Sequence, residues 1–174
     1  MRIIYEYDDV KVIKIDQIKD DRGWFCETFK ASEFYRLGLP TAFPQTNHSQ
    51  SKAGVIRGLH FQPGMGKLMR VTRGSAIMVA FNLNTGRLET PYYSTAGDGV
   101  LIWAPGHYAR GFQALSPITE VQYMCTEEYD KTTEGAINYN SVGAPWINNL
   151  FPFLIQVSEK DRLAPTYKEW KAKQ

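Results

Sequence analysis

Histidine and cysteine are scarce in this chain, with three of the first and two of the second among 174 residues. A β-barrel that grips a transition metal commonly does so with two or three histidines and a glutamate. Here His48, His60 and His107 stand apart with no His-x-His pair, which argues against a metal site. Cys26 and Cys125 could pair, but two thiols without an export signal read as free and buried in a cytosolic protein. The first residues, Met1 to Asp9, carry charges where a signal peptide needs an apolar core, so a cytoplasmic location is expected. Charge of one sign is also missing: 20 Lys and Arg against 18 Asp and Glu leave +2, too little to argue for nucleic acid. Lys168, Lys171 and Lys173 cluster near the C-terminus and read as a solvated tail. No apolar run approaches the ~18 residues of a membrane span. There is no Gly-x-Ser-x-Gly elbow, no phosphate loop and no dinucleotide fingerprint, so serine-hydrolase, nucleotide-hydrolysing and nicotinamide chemistry lack support.

The length points to one domain over residues 1–174, large enough to bury roughly two-thirds of its unfolded surface without a staple. A hydrophobic fraction of 43% with 22% charged residues is ordinary for a globular protein. Short runs rich in Val, Ile, Phe and Tyr, punctuated by Gly, Pro and Asn, read as strands. They cover Val10 to Ile15, Trp24 to Phe29, Thr41 to Ser49, Val55 to Gln62, Lys67 to Thr72 and Ser75 to Leu83. They continue through Tyr92 to Ser94, Val100 to Ala104, Tyr108 to Leu115, Thr119 to Thr126 and Gly135 to Asn140. Ala31 to Leu37, stopped by Gly38, reads as a helix. Ser158 to Leu163 and Tyr167 to Lys173 read as peripheral helices. The expected fold class is all-β: an antiparallel jelly roll or β-sandwich with a few short peripheral helices. Most of Trp24, Phe25, Phe29, Phe43, Phe61, Phe81, Trp103 and Phe112 are expected in its core.

One strand stands out. Gly54-Val-Ile-Arg-Gly-Leu-His-Phe-Gln62 carries Arg57 and His60 inside a run that otherwise reads as buried, and burying an unpaired charge is expensive. Strict alternation puts the two on opposite faces. Both reach one cavity only if the strand is bulged, and Gly58 lies where a bulge is cheap. On the run Thr119 to Cys125, Tyr123 shares an apolar face with Val121 and Cys125 and so points inward. What remains for chemistry is a metal-free acid/base set: His60, Tyr123, Lys67 and the arginines Arg22, Arg57 and Arg110.

Several motifs in one order carry a resemblance. They are Asp21-Arg-Gly-Trp-Phe25 with Glu27, Gln45-Thr-Asn47 with Ser49 and Ser51, and Val55-Ile-Arg-Gly-Leu-His-Phe-Gln62 followed by Gly66-Lys67. Glu120-Val-Gln-Tyr123, Tyr129, Glu134 and Ser158-Glu-Lys-Asp161 follow. Nearly end to end, the chain resembles the dTDP-4-dehydrorhamnose 3,5-epimerase family, nucleotide-sugar epimerases with a cupin-like jelly roll. The resemblance implies a nucleoside-diphosphate 4-keto-6-deoxy sugar as substrate, epimerised at C3 and C5 without a cofactor. It implies His60 as base, Tyr123 as acid and Lys67 as stabiliser of the enolate oxygen. It implies Arg22 and Arg57 at the pyrophosphate and nucleotide end, Gln45 and Asn47 at the base, and Glu27, Tyr129, Glu134 and Lys160 as further substrate contacts. A homodimer sharing a strand across its interface is implied as well.

Two departures stand against the family pattern. In Pro105-Gly-His-Tyr-Ala-Arg-Gly-Phe112 the family's second histidine is Arg110, which cannot act as a base and could bind a phosphate or the ketone oxygen. Near Ile137-Asn-Tyr-Asn-Ser141, Ser141 stands where the family has an acidic residue that orients the catalytic histidine. The expectation is a less basic His60, a replacement carboxylate from elsewhere, or altered chemistry. Three readings follow: a two-centre epimerase, a single-centre relative acting at C3 or C5 only, and a catalytically silent sugar-nucleotide binder whose sole support is Ser141.

Overall fold

The computed structural model describes residues 1–148 and 154–174. In chain order the strands are β1 (Arg2–Tyr7), β2 (Val10–Lys14), β3 (Ile18–Asp20), β4 (Gly23–Phe25), β5 (Gln45–Ser51), β6 (Val55–Phe61) and β7 (Lys67–Arg73). They continue as β8 (Ser75–Asn82), β9 (Leu88–Thr95), β10 (Val100–Ala104), β11 (Tyr108–Ala114), β12 (Thr119–Cys125), β13 (Gly135–Ala136) and β14 (Gln156–Val157). The helices α1 (Ala31–Arg36), α2 (Glu159–Arg162) and α3 (Tyr167–Lys171) are short, with a 3₁₀ turn at Tyr139–Ser141.

Strands in the order β1-β2-β10-β7-β12-β5 form one antiparallel sheet, and β13-β6-β11-β8-β9 form the other, with β14 added parallel to β6. The two sheets face each other as an all-β jelly roll, as expected. Inward side chains from both, including Val10, Val12, Met69, Met78, Ile102, Phe112 and Val121, make the central core. The outer face of the first sheet is covered by α1, where Phe34 and Leu37 pack on Ile13, Leu101 and Trp103. The outer face of the second is covered by the C-terminal segment, with Tyr167 and Trp170 against a cluster that holds Phe61 and Phe81. Two-sided cover explains why β8, β10 and β11 are buried at every position and read as continuous apolar runs rather than alternating ones.

The bulge in β6 is real. Arg110 pairs with His60 but Phe112 pairs with Arg57, so three steps on β6 match two on β11. Gly58 sits there at φ +124°, and a Cβ on it would lie 2.7 Å from Gly111 Cα and 2.8 Å from the Arg110 carbonyl oxygen. Gly58→Ala is therefore expected to destabilise the fold by about 1–3 kcal/mol, read as a lower urea midpoint at unchanged slope. A midpoint equal to the parent's would show that the bulge does not need glycine.

Several expectations need correction. β1 and β3 lie outside the runs expected as strands: β1 is rich in Ile and Tyr but buries none of them fully, and the three residues of β3 are all exposed. The run from Trp24 stops as a strand at Phe25, β5 covers Gln45–Ser51 rather than Thr41 to Ser49, and β9 is longer than Tyr92 to Ser94. Gly135 to Asn140 yields only the two residues of β13 before the backbone turns into the 3₁₀ turn. Phe61, Phe81, Trp103 and Phe112 are core, but Trp24 and Phe25 are 51% and 63% exposed. The β3–β4 hairpin carrying them pairs with neither large sheet, so it has no apolar face to pack on.

Candidate active site

The bulge turns both Arg57 and His60 toward a cavity of about 490 Å³ between the sheets, which Lys67, Arg110, Tyr123 and Asp161 also line. A smaller lobe of about 240 Å³ shares His60, Lys67 and Tyr123 and adds Gln45, Asn47, Tyr129 and Glu134. The three shared residues therefore stand at the junction of two spaces. His60 comes from β6, Lys67 opens β7, and Tyr123 points inward from β12 beside Val121 and Cys125, as alternation requires.

His60 Nε2 lies 2.5 Å from Asp161 Oδ1. Asp161 is only 3% exposed. Its other oxygen accepts from the Gly58 backbone N–H at 3.2 Å, so the bulge residue also holds the carboxylate. Ser158 caps α2 and its side chain accepts from the Asp161 N–H at 3.1 Å, which fixes the residue that carries the carboxylate. Burial pushes the Asp161 carboxyl up, but His60, Gly58 and Ser158 outweigh it and hold the group below its ordinary value.

Burial and the charge of Arg110 push the Lys67 ammonium down to about 8, against the opposing pull of Cys125 and Glu134. Its Nζ lies 5.0 Å from the centre of the Tyr123 ring. Burial, with Cys125, raises the Tyr123 phenol, so it is protonated at neutral pH. Arg57 is braced from one side, donating through Nε to Ser51 Oγ at 2.9 Å and through Nη2 to the Gln50 carbonyl at 3.1 Å. In the smaller lobe Gln45 donates to Asn47 Oδ1 at 3.1 Å and accepts from the Tyr129 N–H at 2.7 Å. Glu134 accepts from the Tyr129 hydroxyl at 2.9 Å and from Lys160 Nζ at 2.5 Å. Burial pushes the Glu134 carboxyl up and these two donors bring it below its ordinary value.

A family model described as dTDP-4-dehydrorhamnose 3,5-epimerase matches residues 5–169, nearly the whole chain. The chain belongs to that family. It is 35% identical to the dTDP-4-dehydrorhamnose 3,5-epimerase of Salmonella typhimurium, over 90% of each chain. It is 37% identical to that of Methanothermobacter thermautotrophicus, over 89% of this chain and 88% of the relative. Among solved structures, the 3,5-epimerase of Legionella pneumophila in complex with dTDP-4-keto-L-rhamnose superposes at a TM-score of 0.85 with 31% identity, over 98% of this chain and 94% of that one. The chain is thus an isomerase of the epimerase type.

Against the pattern expected of an epimerase of this family, three placements are corrected. Ser141 is not beside His60: its hydroxyl donates to the Asn138 carbonyl at 2.8 Å and accepts from the Tyr167 N–H at 3.3 Å. The carboxylate at the histidine is Asp161, and the sole ground for a silent binder disappears with it. The α2 segment is correspondingly not peripheral, since it delivers Asp161 and Lys160 to the cavity wall. Arg22 and Glu27 are not among the described residues lining either lobe. Arg22 is on the β3–β4 hairpin, 90% exposed and paired with Asp20, and Glu27 follows it, 3.6 Å from Lys30.

Proposed function

We propose that the chain works as one domain that epimerises a dTDP-linked 4-keto-6-deoxyhexose at C3 and C5, with His60 as base and Tyr123 as acid. The observation that carries the reading is the His60–Asp161 pair opening on the cavity that Tyr123 and Lys67 share. The C4 ketone acidifies the hydrogens on the neighbouring carbons. The His60 imidazole takes one as a proton, and the C–H electron pair moves onto the ketone oxygen as an enolate. The imidazolium so formed faces the Asp161 carboxylate, which holds the ring and balances its charge. The Lys67 ammonium stabilises the enolate oxygen. Tyr123 gives its phenolic proton to the opposite face of the carbon, inverting it, and solvent restores the starting protonation. Each proton transfer supplies ~10²–10⁴-fold in rate. Carbon oxidation states end as they began, so the reaction consumes no redox cofactor.

Arg57, braced by Ser51 and Gln50, would grip a phosphate oxygen with its remaining N–H groups. Gln45 and Asn47 would read the base from the smaller lobe, beside Tyr129, Glu134 and Lys160. Incubation with dTDP-4-keto-6-deoxyglucose should change the ring H–H coupling constants in the proton NMR spectrum to those of inverted C3 and C5. An unchanged spectrum at enzyme concentrations approaching those of substrate would contradict the assignment.

The working unit is a homodimer paired through the β3–β4 hairpin. Ile18, Trp24 and Phe25 expose 70%, 51% and 63% of their surface there, an apolar patch that calls for cover. Pairing would also give Arg22 and Glu27 a route to a partner's cavity. Sedimentation should give twice the chain mass, and Phe25→Asp should give the monomer. A parent that sediments as a monomer at micromolar concentration would sink this arrangement. Two free thiols, Cys26 and Cys125, suit the reducing cytosol.

A further inference from the structure

Arg110 is placed where a guanidinium is costly. It is 3% exposed, and the strand register sets it opposite His60, so both side chains leave the sheet on the cavity side. Its Nη1 donates to the carbonyls of Pro105 at 2.7 Å and Met65 at 2.9 Å, with Ala104 at 3.4 Å. Those carbonyls flank Lys67: Ala104 on β10 is its partner on the neighbouring strand of the same sheet, and Met65 lies in the turn leading into β7. Arg110 therefore crosses the cavity floor from the sheet of His60 to that of Lys67. Its Nε and Nη2 have no hydrogen-bond partner, and they are the only buried side-chain nitrogen or oxygen atoms so left among the described residues. Unpaired charged donors in a protein interior are expensive and rare, and each calls for an explanation.

We propose that Arg110 is a further catalytic residue that forms, with Lys67, a two-cation seat for the ketone oxygen of the bound sugar. The inference rests on the epimerase reading of the cavity. The two unpartnered N–H groups are closed to solvent in the free chain; a turn of the guanidinium as the sugar seats brings them to that oxygen, whose charge grows as the proton leaves carbon and the electron pair arrives. A permanent cation then shares the enolate with Lys67, whose own charge depends on its surroundings. Facing Lys67 are Arg110 from β11, Tyr123 and Cys125 from β12, His60 from β6 and Glu134 before β13. Burial and Arg110 disfavour the ammonium, while Cys125 and Glu134 favour it, and it stands at about 8. Removing the charge of Arg110 should raise that midpoint, and so should filling the seat with an oxygen acceptor. Above pH 8 the sugar should bind with uptake of a proton.

The test is NMR on the full chain labelled with ¹⁵N-arginine and ¹³Cε-lysine, using Lys67→Arg and Arg110→Lys to assign the signals. Saturating dTDP-4-keto-6-deoxyglucose should move the Arg110 ¹⁵Nε–H resonance, whereas dTDP, which lacks the sugar, should not. The Lys67 midpoint should rise by about 1 pH unit in Arg110→Gln, burial keeping the rest of its depression, and stay near the parent's in Arg110→Lys. An Arg110 signal that ignores the sugar, or a Lys67 midpoint unmoved in Arg110→Gln, overturns the seat. If Arg110→Gln does not fold, the ligand comparison on the parent decides alone. Deuterium exchange into the sugar with a silent Arg110 signal would sink this inference and leave the epimerase reading standing. No exchange and no sugar-specific shift would remove both.

Discussion

Asp161→Asn is expected to lower epimerisation by about 10²–10⁴-fold, with the loss in kcat rather than KM. The variant keeps the shape of the side chain but removes the charge facing His60. An imidazole that must become imidazolium during the reaction then lacks its counter-ion, and an amide that presents its N–H to Nε2 favours the tautomer with hydrogen on Nδ1, which removes the lone pair that takes the proton. Substrate binding falls on other groups, so KM should change little. The pH dependence follows from the same pair. Because Asp161 is held below its ordinary value in the fold, its stabilising contribution is full above about pH 4 and is lost as pH falls through its lower folded value. Ser141→Ala, by contrast, should leave kcat unchanged, since that hydroxyl serves the turn at Asn138 and Tyr167. Steady-state kinetics on the two variants settles which residue is the partner. A full-rate Asp161→Asn enzyme would sink the assignment.

Tyr123→Phe should separate two events that the parent couples. Inversion is expected to fall by about 10²–10⁴-fold, because the face opposite His60 loses its proton donor. Hydrogen exchange by His60 should continue, since base and enolate seat are intact, and deuterium from solvent should then appear in a sugar of unchanged configuration. Burial makes this tyrosine a reluctant phenolate, which suits an acid that must hold its proton until the enolate forms. Inversion at the parental rate would remove Tyr123 from its role. Loss of exchange together with inversion would mean that the phenol supports the first proton transfer too.

The site was legible in the sequence where local rules reach. His60 stood out because a polar ring in an apolar run needs a use. Gly58 marked the bulge that brings Arg57 and His60 to one cavity, and alternation on β12 turned Tyr123 inward. Asp161 was not legible from local rules, because it meets His60 across 101 residues of chain. Its segment, Ser158-Glu-Lys-Asp161, reads as a helix start with an acid at the third position, where the carboxylate would normally serve its own cap. Only the parallel pairing of β14 with β6 brings α2 beside the bulge and redirects that carboxylate to His60 and Gly58. Ser141 misled because a match in order along the chain does not fix which side chain reaches the ring. The exposed aromatics of the hairpin misled for a related reason, since composition reports what can be buried and not which face has cover. Arg110 could be named from sequence, but the unpartnered state of its donors belongs to the folded interior alone.

The central claim is tested most directly by proton NMR of dTDP-4-keto-6-deoxyglucose in D₂O with the parent enzyme and with His60→Ala. The account predicts deuterium at both C3 and C5 with the parent and at neither carbon with the variant. Deuterium entering as fast without His60, or none entering with the parent, would contradict it.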